Sequence, residues 1–400
     1  MTYLHKFGRA VAEGTAPENP LLQASDGNFY GTTLSGGLLA CGYPPGDSYC
    51  GVIFRITPDG VFSVLYSFGS VVDDGYVAQG ALIQAGDGAI YGVTATGGAY
   101  GGGGTIFRIT LDGTYTLLHS FGAPGEGYTP TGGLIEASDG NFYGTTVNGG
   151  ANHCFQIPAV DGNCGTVFKM APTGLVTTVY SFGTSPSDGV APSGSLLEAS
   201  DGNFYGTTSN GGSNACSTSG ATNNCGTVFR MTPAGEVTIL HSFGTTRADG
   251  IAPRGSLIQV GDGALYGTTI AGGNGNCNFA FGCGTVFRMT LEGEVSIVHA
   301  FALPSIEDGD GPSSNLTLAT DGHLYGTTAH GGAHGGSFAG TVFRLTLTGV
   351  KTTLHSFGPT DTAPGNPVGG VTQGNDGAFY GATMYDGIFR TGSIYKLVPR

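Results

Sequence analysis

Histidine and aspartate side chains that could do chemistry together occur near one another in the last third of the sequence. Asp308 and Asp310 precede the segment AHGGAH, which holds His330 and His334. Imidazole and carboxylate groups bind divalent cations, and a histidine beside an acid can also transfer protons. His330, His334 and Asp308 could therefore hold Ca²⁺ or another divalent cation, whereas His330 and Asp310 could serve in acid–base catalysis. The third alternative is a solvated glycine-rich loop with incidental histidines.

An internal repeat must position these side chains. The dipeptide Tyr-Gly recurs seven times, at Tyr30, Tyr91, Tyr143, Tyr205, Tyr266, Tyr325 and Tyr380. One clean copy carries the short apolar runs SLLEA, FYGTT, TVFRM and VTILHSF, and the first and third joints between these runs are tight turns that contain glycine. Alternating, β-branched and aromatic runs between such turns predict antiparallel β-strands. The chain is therefore predicted to be all-β, with four antiparallel strands in each unit.

The ends of the chain indicate how the units assemble. The last unit lacks its fourth run, but the matching run TYLHKFG occurs at residues 2–8. We expect this segment to complete the last blade and to close a seven-bladed β-propeller, which leaves only short outer edges. A single domain, 1–400, is predicted, with blades at approximately 19–70, 80–123, 132–184, 194–245, 255–303, 314–359 and 369–400 with 2–8.

Two positions vary between copies where the rest of the unit is constant. One follows the proline of the interblade loop, and the other begins the long insert between the second and third strands. In a propeller both loops lie on the same face, and function usually resides on long loops. The outliers are Glu18, Arg254, His330 and Tyr385. Because an asymmetric ligand must break the sevenfold pattern, we expect Glu18, Tyr385, His330 and Asp310 to be catalytic and Arg254 to bind substrate. Residues that occur in every copy are expected to hold the blade together.

Acidic residues recur four positions before the loop proline. Asp188 and Asp249 belong to this series, and Asp74 matches it with alanine in place of proline. These carboxylates could form a collar at the channel mouth that binds substrate or a cation, or they could cap the loops. Tyr76 and Tyr128 lie in the same loops and could stack on sugar rings or pack the loops together.

The repeated motif is long enough to indicate a family. Copies of G-x-L-I-x-A-x-D-G-N-F-Y-G-T-T-x-x-G-G followed by G-T-V-F-R-x-T-P-x-G-x-x-T-x-L-H-S-F-G cover essentially the whole chain. The motif resembles the GloVer-type tandem repeats of bacterial secreted and surface proteins. The resemblance implies export, and often a separate C-terminal anchor, but it implies no activity. No anchor is visible before Arg400, and we expect the chain to begin after a removed signal peptide.

The cysteines indicate an oxidising compartment. All eight lie in the inserts between second and third strands, and each insert that contains any contains two. Pairing within one loop predicts local disulfide bonds, which persist outside the cytosol. The predicted bonds are Cys41–Cys50, Cys154–Cys164, Cys216–Cys225 and Cys277–Cys283.

The composition excludes several classes of protein. With 76 glycines in 400 residues and only 10% charged residues, the chain is unsuited to long helices. A net charge of −14 argues against binding to nucleic acid, which needs clustered cations. No apolar run approaches the length of a membrane span.

These observations predict an exported propeller that is secreted or held at the cell surface. The first hypothesis is that it binds an extracellular polysaccharide on the long-loop face and cleaves it as a hydrolase or lyase. The alternative is a non-catalytic cell-surface module that binds a protein or serves a structural role. A metal-dependent enzyme of another kind is the third class. We expect a monomer with a glycan or protein ligand.

Overall fold

The computed structural model describes residues 1–8, 10–39, 50–152, 154, 164–218, 221–246, 248–273, 282–302, 308–334, 339–358, 364–386 and 391–399. In these ranges the chain forms small antiparallel β-sheets. The helical element described there is a 3₁₀ turn at Val11–Glu13. Within the same ranges we find no helix with the length and apolar character that a membrane span requires.

Each blade is built on four antiparallel strands, which are arranged in chain order from the central channel outward. The inner strands comprise Leu22–Gln23, Gly75–Gln84, Ile135–Glu136, Leu197–Glu198, Ile258–Gln259, Thr317–Leu318 and Val371–Gln373. The second strands comprise Phe29–Thr32, Ile90–Gly97, Phe142–Thr146, Phe204–Gly211, Leu265–Ala271, Leu324–Thr328 and Phe379–Thr383.

The third and outer strands correspond to the third and fourth apolar runs of the repeat. The third strands comprise Val52–Ile56, Thr105–Ile109, Thr166–Met170, Thr227–Met231, Thr285–Met289, Thr341–Leu345 and Ser393–Leu397. The outer strands comprise Phe62–Ser67, Tyr115–Ser120, Val176–Ser181, Val237–Ser242, Val295–Ala300, Lys351–Ser356 and, in the seventh blade, Thr2–Lys6.

Short strands extend the blades into the loops. They comprise Gly127–Tyr128 with Asn148–Gly149, Pro364–Gly365 with Tyr385–Asp386, the segments Gly189–Pro192 and Ile251–Pro253, and the hairpin of Ala215–Thr218 with Ala221–Asn224.

The N-terminal strand completes the seventh blade. Thr2–Lys6 pairs antiparallel with Ser393–Leu397. The backbone N–H of Phe7 continues this pairing by donating to the carbonyl of Gly392 at 3.0 Å. The predicted seven-bladed propeller is thus confirmed, with strand pairing over residues 2–6 of the predicted segment 2–8 and a register shift between Tyr3 and His5.

The hydrophobic core lies between neighbouring blades. One cluster packs Tyr30 and Ile53 of blade one against Leu82 and Phe107 of blade two. Equivalent clusters recur around the ring, and one that contains Tyr380 joins blade seven to blade one. Burial of apolar surface drives folding, so each blade depends on both neighbours for its stability.

The glycine of each Tyr-Gly pair allows an aromatic ring of the third strand to lie on the second strand. In blade four a Cβ atom on Gly206 would lie 2.5 Å from Cζ of Phe229. In blade one the same separation, between Gly31 and Phe54, is also 2.5 Å. These phenylalanine rings are fully buried, so the ring has no space into which it could retreat from a larger residue.

The first turn of each blade is held by residues that occur in every copy. In blade two, Asp87 accepts hydrogen bonds from the Ala89 backbone N–H at 2.9 Å, from Tyr91 Oη at 3.0 Å and from Arg108 Nη2 at 2.8 Å. The tyrosine donates to the turn aspartate in all seven blades. The expectation that these repeated residues hold the blade is confirmed for the aspartate in every blade, and for the base in blades two, three, five and seven.

In six of the seven blades a side chain of the inner strand caps the first turn of the preceding blade. The backbone N–H of Ser25 in blade one donates to Gln84 Oε1 of blade two at 2.8 Å. We call this contact the turn clasp, and it recurs with Glu136, Glu198, Gln259, Gln373 and Gln23. In the part of the chain that the structure describes, blade six lacks it, because Leu318 occupies the position.

Replacing Gly206 by alanine should destabilise the propeller by about 1 to 3 kcal/mol, because the added methyl group must displace the buried Phe229 ring. Gly261→Ala is the matched control, since no heavy atom lies within 4 Å of its Cβ position. Denaturant unfolding measures both variants. Equal stability of the two variants would contradict the packing argument.

Candidate functional site

A backbone bridge beside each second strand brings the interblade loop and the start of the insert together on one face. The paired residues are Thr15 with Ser35, Tyr76 with Thr96, Tyr128 with Asn148, Val190 with Asn210, Ile251 with Ala271, Asp310 with His330, and Gly365 with Tyr385. We call these the bridge pairs. The backbone contact is common to the seven blades, whereas an acid opposite an imidazole occurs in blade six alone among these pairs.

The bridge pair of blade six joins side chains as well as backbone. Asp310 and His330 exchange backbone hydrogen bonds of 3.0 and 3.2 Å. His330 Nδ1 also lies 3.3 Å from Asp310 Oδ1, with the Asp310 side chain 9% and the His330 side chain 31% exposed. The Asp310 carboxylate therefore lies at ion-pair distance from the imidazole and can help to fix its position. The structure thus brings together two of the residues for which a catalytic role is predicted.

All seven blades contribute to a polar cavity at the mouth of the central channel. This channel-mouth cavity has a volume of about 390 Å³. Its lining includes the residue that follows the loop proline, or alanine in blade two, of each blade: Glu18, Gln79, Thr131, Ser193, Arg254, Ser313 and Val368. The position that varies most freely between copies is therefore the one that faces the channel mouth.

Glu18 and Arg254 are the charged residues of this lining. Neither side chain has a hydrogen-bond or ion-pair partner among the described residues. Burial raises the pKa of Glu18 to about 7, whereas Arg254 is exposed. The cavity therefore presents one guanidinium whose donors remain available to a ligand.

A second pocket opens beside Arg254, between blades five and six. It has a volume of about 320 Å³, and Ile270, Ala271 and Ala329 give it apolar walls. Arg254 and His330 also line this side pocket, and Arg254 is shared with the channel-mouth cavity. The side pocket therefore combines an imidazole backed by a buried carboxylate with an available guanidinium.

The loop acids do not form the predicted carboxylate collar. Asp74 accepts hydrogen bonds from Tyr66 Oη at 2.6 Å and Tyr115 Oη at 2.8 Å. Asp188 and Asp249 similarly contact the tyrosine or histidine of their outer strand. Asp74, Asp188 and Asp249 are 7%, 4% and 9% exposed. They cap the loops, because donors of the loop and of the outer strand occupy their oxygens, and none of them lines either cavity.

The predicted metal ligands lie apart. Asp308 Oδ1 contacts Lys351 Nζ at 2.7 Å. His334 is exposed, and its charge acts on His355 of the outer strand. Burial lowers the pKa of His355, and the charges of the N-terminus and of His334 lower it further. No group of three potential ligands occurs in the described ranges. The described residues therefore do not assemble the expected site of His330, His334 and Asp308.

The three candidate tyrosines occupy bridge pairs of other blades. Tyr76 and Tyr128 are the loop members in blades two and three. Tyr385 is the insert member in blade seven, which adjoins blade six. All three are half-buried on the long-loop face. None of them lines the side pocket or the channel-mouth cavity as far as the described residues define these.

Disulfide bonds occur in the inserts, as predicted. Cys154–Cys164 and Cys216–Cys225 are bonded, with Cα–Cα distances of 5.4 and 5.3 Å. Cys50 and Cys283 are also disulfide-bonded, while Cys41 and Cys277 lie outside the described residues. No described cysteine is a free thiol.

The apolar walls of the side pocket were missed by the sequence analysis. The signal lies in the bridge pair of blade five, where Ile251 and Ala271 replace the more polar pairs of other blades. Ala271 is the smallest residue in the insert series, and this small side chain leaves space next to His330.

Comparison with known protein families assigns the repeat. The model of the Gloeobacter/Verrucomicrobia repeat matches residues 1–219, 159–301 and 215–400, which together span the chain. The chain belongs to the Gloeobacter/Verrucomicrobia repeat family. Family membership agrees with the resemblance carried by the Tyr-Gly motif, and each match spans more than one blade of this propeller.

Two solved structures are similar to the Gloeobacter/Verrucomicrobia repeat chain at low identity. A gluconolactonase-like protein is 15% identical with a TM-score of 0.43, covering 80% of this chain and 87% of its own. A luciferin-regenerating enzyme is 10% identical with a TM-score of 0.43, covering 97% and 92%. No curated protein matches the sequence. Neither similarity indicates an activity for this chain.

Replacing Glu18 by glutamine should remove a pH-dependent loss of stability. The folded-state pKa of Glu18 is about 7 and its ordinary value is 4.5, so ionisation of this carboxyl opposes folding and stability falls as pH rises between these values. Above the folded-state pKa, Glu18→Gln should be more stable than the native chain by up to about 3 kcal/mol. Below the ordinary pKa the two should be equally stable.

Denaturant unfolding at the two extremes of pH measures this difference. Ser193→Ala, at the equivalent position of blade four, should leave the pH dependence of stability unchanged. A stability gain of Glu18→Gln that is the same at both pH values would contradict the assignment of the titration to Glu18.

Proposed function

We propose that this protein binds an extracellular glycan on its long-loop face, at the mouth of the central channel. The observation that carries the proposal is the channel-mouth cavity, to which the seven blades contribute six different types of side chain. Hydroxyl and amide groups predominate in this lining, and such groups exchange hydrogen bonds with sugar hydroxyls. A polar and asymmetric ligand is the class that this lining suits.

Buried polar atoms at the cavity favour a hydroxyl-rich ligand. Oγ1 of Thr131 and Oγ of Ser193 are buried without a hydrogen-bond partner among the described residues. Both residues line the channel-mouth cavity. Because a buried hydroxyl without a partner costs free energy, a sugar hydroxyl that supplied the partner would gain affinity.

Arg254 and the side pocket extend the proposed site beyond the channel. The guanidinium lines both cavities, so a ligand can contact it from either side. The apolar face of a sugar ring can pack against Ile270 and Ala329, while the guanidinium pairs with an oxygen of the same sugar. The proposed binding site therefore comprises the channel-mouth cavity, Arg254 and the side pocket.

An extracellular ligand requires an exported protein. The disulfide bonds of the inserts persist only in an oxidising compartment. The family resemblance also implies export. Both observations support a secreted or cell-surface location, where polysaccharides are accessible.

Titration with a panel of polysaccharide fragments should identify at least one that raises the melting temperature and binds in calorimetry. For that ligand, Arg254→Ala and Thr131→Val should each weaken binding about tenfold, because each removes a hydrogen bond that the free protein leaves unmade. The matched control is Glu236→Gln, which is exposed in a tight turn on the opposite face and should bind like the native protein.

Two results would contradict the proposal. One is the failure of every glycan to bind the folded native protein. The other is binding that Arg254→Ala and Thr131→Val leave unchanged, which would locate the ligand elsewhere. In either case the alternative of a cell-surface module that binds another protein would become the better account.

A further inference from the structure

We infer that the side pocket takes a uronate, a sugar that carries a carboxylate, and that His330 cleaves the glycan there by β-elimination. This inference rests on the proposed glycan binding, to which it adds the class of sugar and the reaction. It depends on three features of the pocket: an available guanidinium, an imidazole backed by a buried acid, and the scarcity of carboxylates.

The available guanidinium selects for a carboxylate. Four bases of the third strands contact turn aspartates, as Arg108 and Arg288 do, and Lys351 contacts Asp308. Arg254 is exposed in the side pocket and has no acceptor among the described residues. A guanidinium pairs with a carboxylate through two parallel hydrogen bonds, which is the strongest contact available to it. A uronate is the sugar that provides this group.

The imidazole provides a base within reach of the same sugar. His330 and Arg254 line one pocket of about 320 Å³, which holds little more than one sugar ring. Asp310 lies behind His330, with Oδ1 at 3.3 Å from Nδ1. The carboxylate stabilises the imidazolium that forms when Nε2 takes a proton. Asp310 is therefore a positioning residue, whereas His330 meets the substrate.

The scarcity of carboxylates disfavours hydrolysis. Glycoside hydrolysis usually needs two carboxyl groups that flank the scissile bond at a separation of about 5 to 10 Å. Among the described residues that line the two cavities, Glu18 is the one carboxylate. The loop acids are occupied by hydrogen bonds within their loops. Elimination needs a single base, which His330 can provide. Elimination is therefore the cleavage reaction that the residues of the side pocket can support.

The step requires no further reactant. The ion pair with Arg254 neutralises the uronate carboxylate and makes the proton on the adjacent C5 more acidic. Nε2 of His330 takes this proton, and the electrons of the C5–H bond form a double bond between C4 and C5 as the bond from C4 to the glycosidic oxygen breaks. The imidazolium then returns the proton to the departing oxygen. The products are a free hydroxyl end and a sugar with a double bond conjugated to its carboxylate.

The experiment incubates the purified full chain with uronate-containing glycans and with neutral glycans of matched length. Cleavage is followed by the ultraviolet absorbance of the conjugated double bond, and binding by calorimetry. The native chain should bind at least one uronate glycan and produce the absorbance with it, but with no neutral glycan.

Variants separate the roles of the residues. His330→Ala should reduce the rate by about 100-fold or more while binding persists, because a general base contributes a factor of that order. Asp310→Asn should lower the rate and shift the pH profile of kcat, which a purely structural role would leave in place. Arg254→Lys should raise KM for uronate glycans because the bidentate contact is lost. His334→Ala is the matched control, since His334 is exposed outside the pocket, and it should leave the activity unchanged.

Five outcomes would overturn the inference. Uronate glycans that bind without the absorbance would exclude elimination and leave glycan binding intact. New reducing ends without the absorbance would indicate hydrolysis. Absorbance that His330→Ala leaves unchanged would exclude His330 as the base. Binding to neutral glycans alone would exclude the uronate, whereas failure of every glycan to bind would also overturn the proposed function.

Discussion

The rest of this structure depends on one constraint: neighbouring blades share their hydrophobic cores, and the blades must close into a ring. Each hydrophobic cluster joins two blades, and the N-terminal strand completes the sheet that meets blade one. A residue whose side chain packs against the next blade therefore tends to recur in every copy, as in other repeat proteins. The tyrosine of the Tyr-Gly pair recurs for this reason. The turn aspartate and the Tyr-Gly glycine recur because they hold this tyrosine and the buried phenylalanine ring in place within each blade. Positions that face neither core nor neighbour are the freest to differ.

The candidate site consists of such free positions. The residues after the loop proline face the channel mouth. The bridge pairs are joined by backbone hydrogen bonds, which a residue with any side chain can form. Blade six can therefore carry Asp310 and His330 where blade four carries Val190 and Asn210. The fold tolerates this change because the hydrogen bonds that hold the loop to the insert are independent of side-chain identity. Chemical asymmetry arises here without disturbing the packing between blades.

The fold could be predicted from the sequence because its determinants are local and repeated. The strand runs and the glycine turns are visible within one unit, and comparison of the two ends of the chain shows that residues 2–8 supply the missing outer strand. The loop acids were harder to assign, because Asp74 finds its partners Tyr66 and Tyr115 on the outer strands of two blades. A spacing of eight residues between an outer-strand tyrosine and the acid, as in Tyr66–Asp74 and Tyr180–Asp188, was an available signal. The side pocket could not be predicted, since its walls meet only when blades five and six are packed at the angle that the ring imposes.

Blades five and six meet without the turn clasp, because Leu318 replaces the glutamine or glutamate found in the other blades. The side pocket spans this same joint on the opposite face. Weakly held contacts are where a folded protein opens first, and among the described residues the interface between blades five and six is without a hydrogen bond that the other interfaces carry. A sugar that contacts Arg254 on one side and His330 on the other would bridge the interface between blades five and six. This interface would then be most stable while the ligand is bound and least stable after the product leaves.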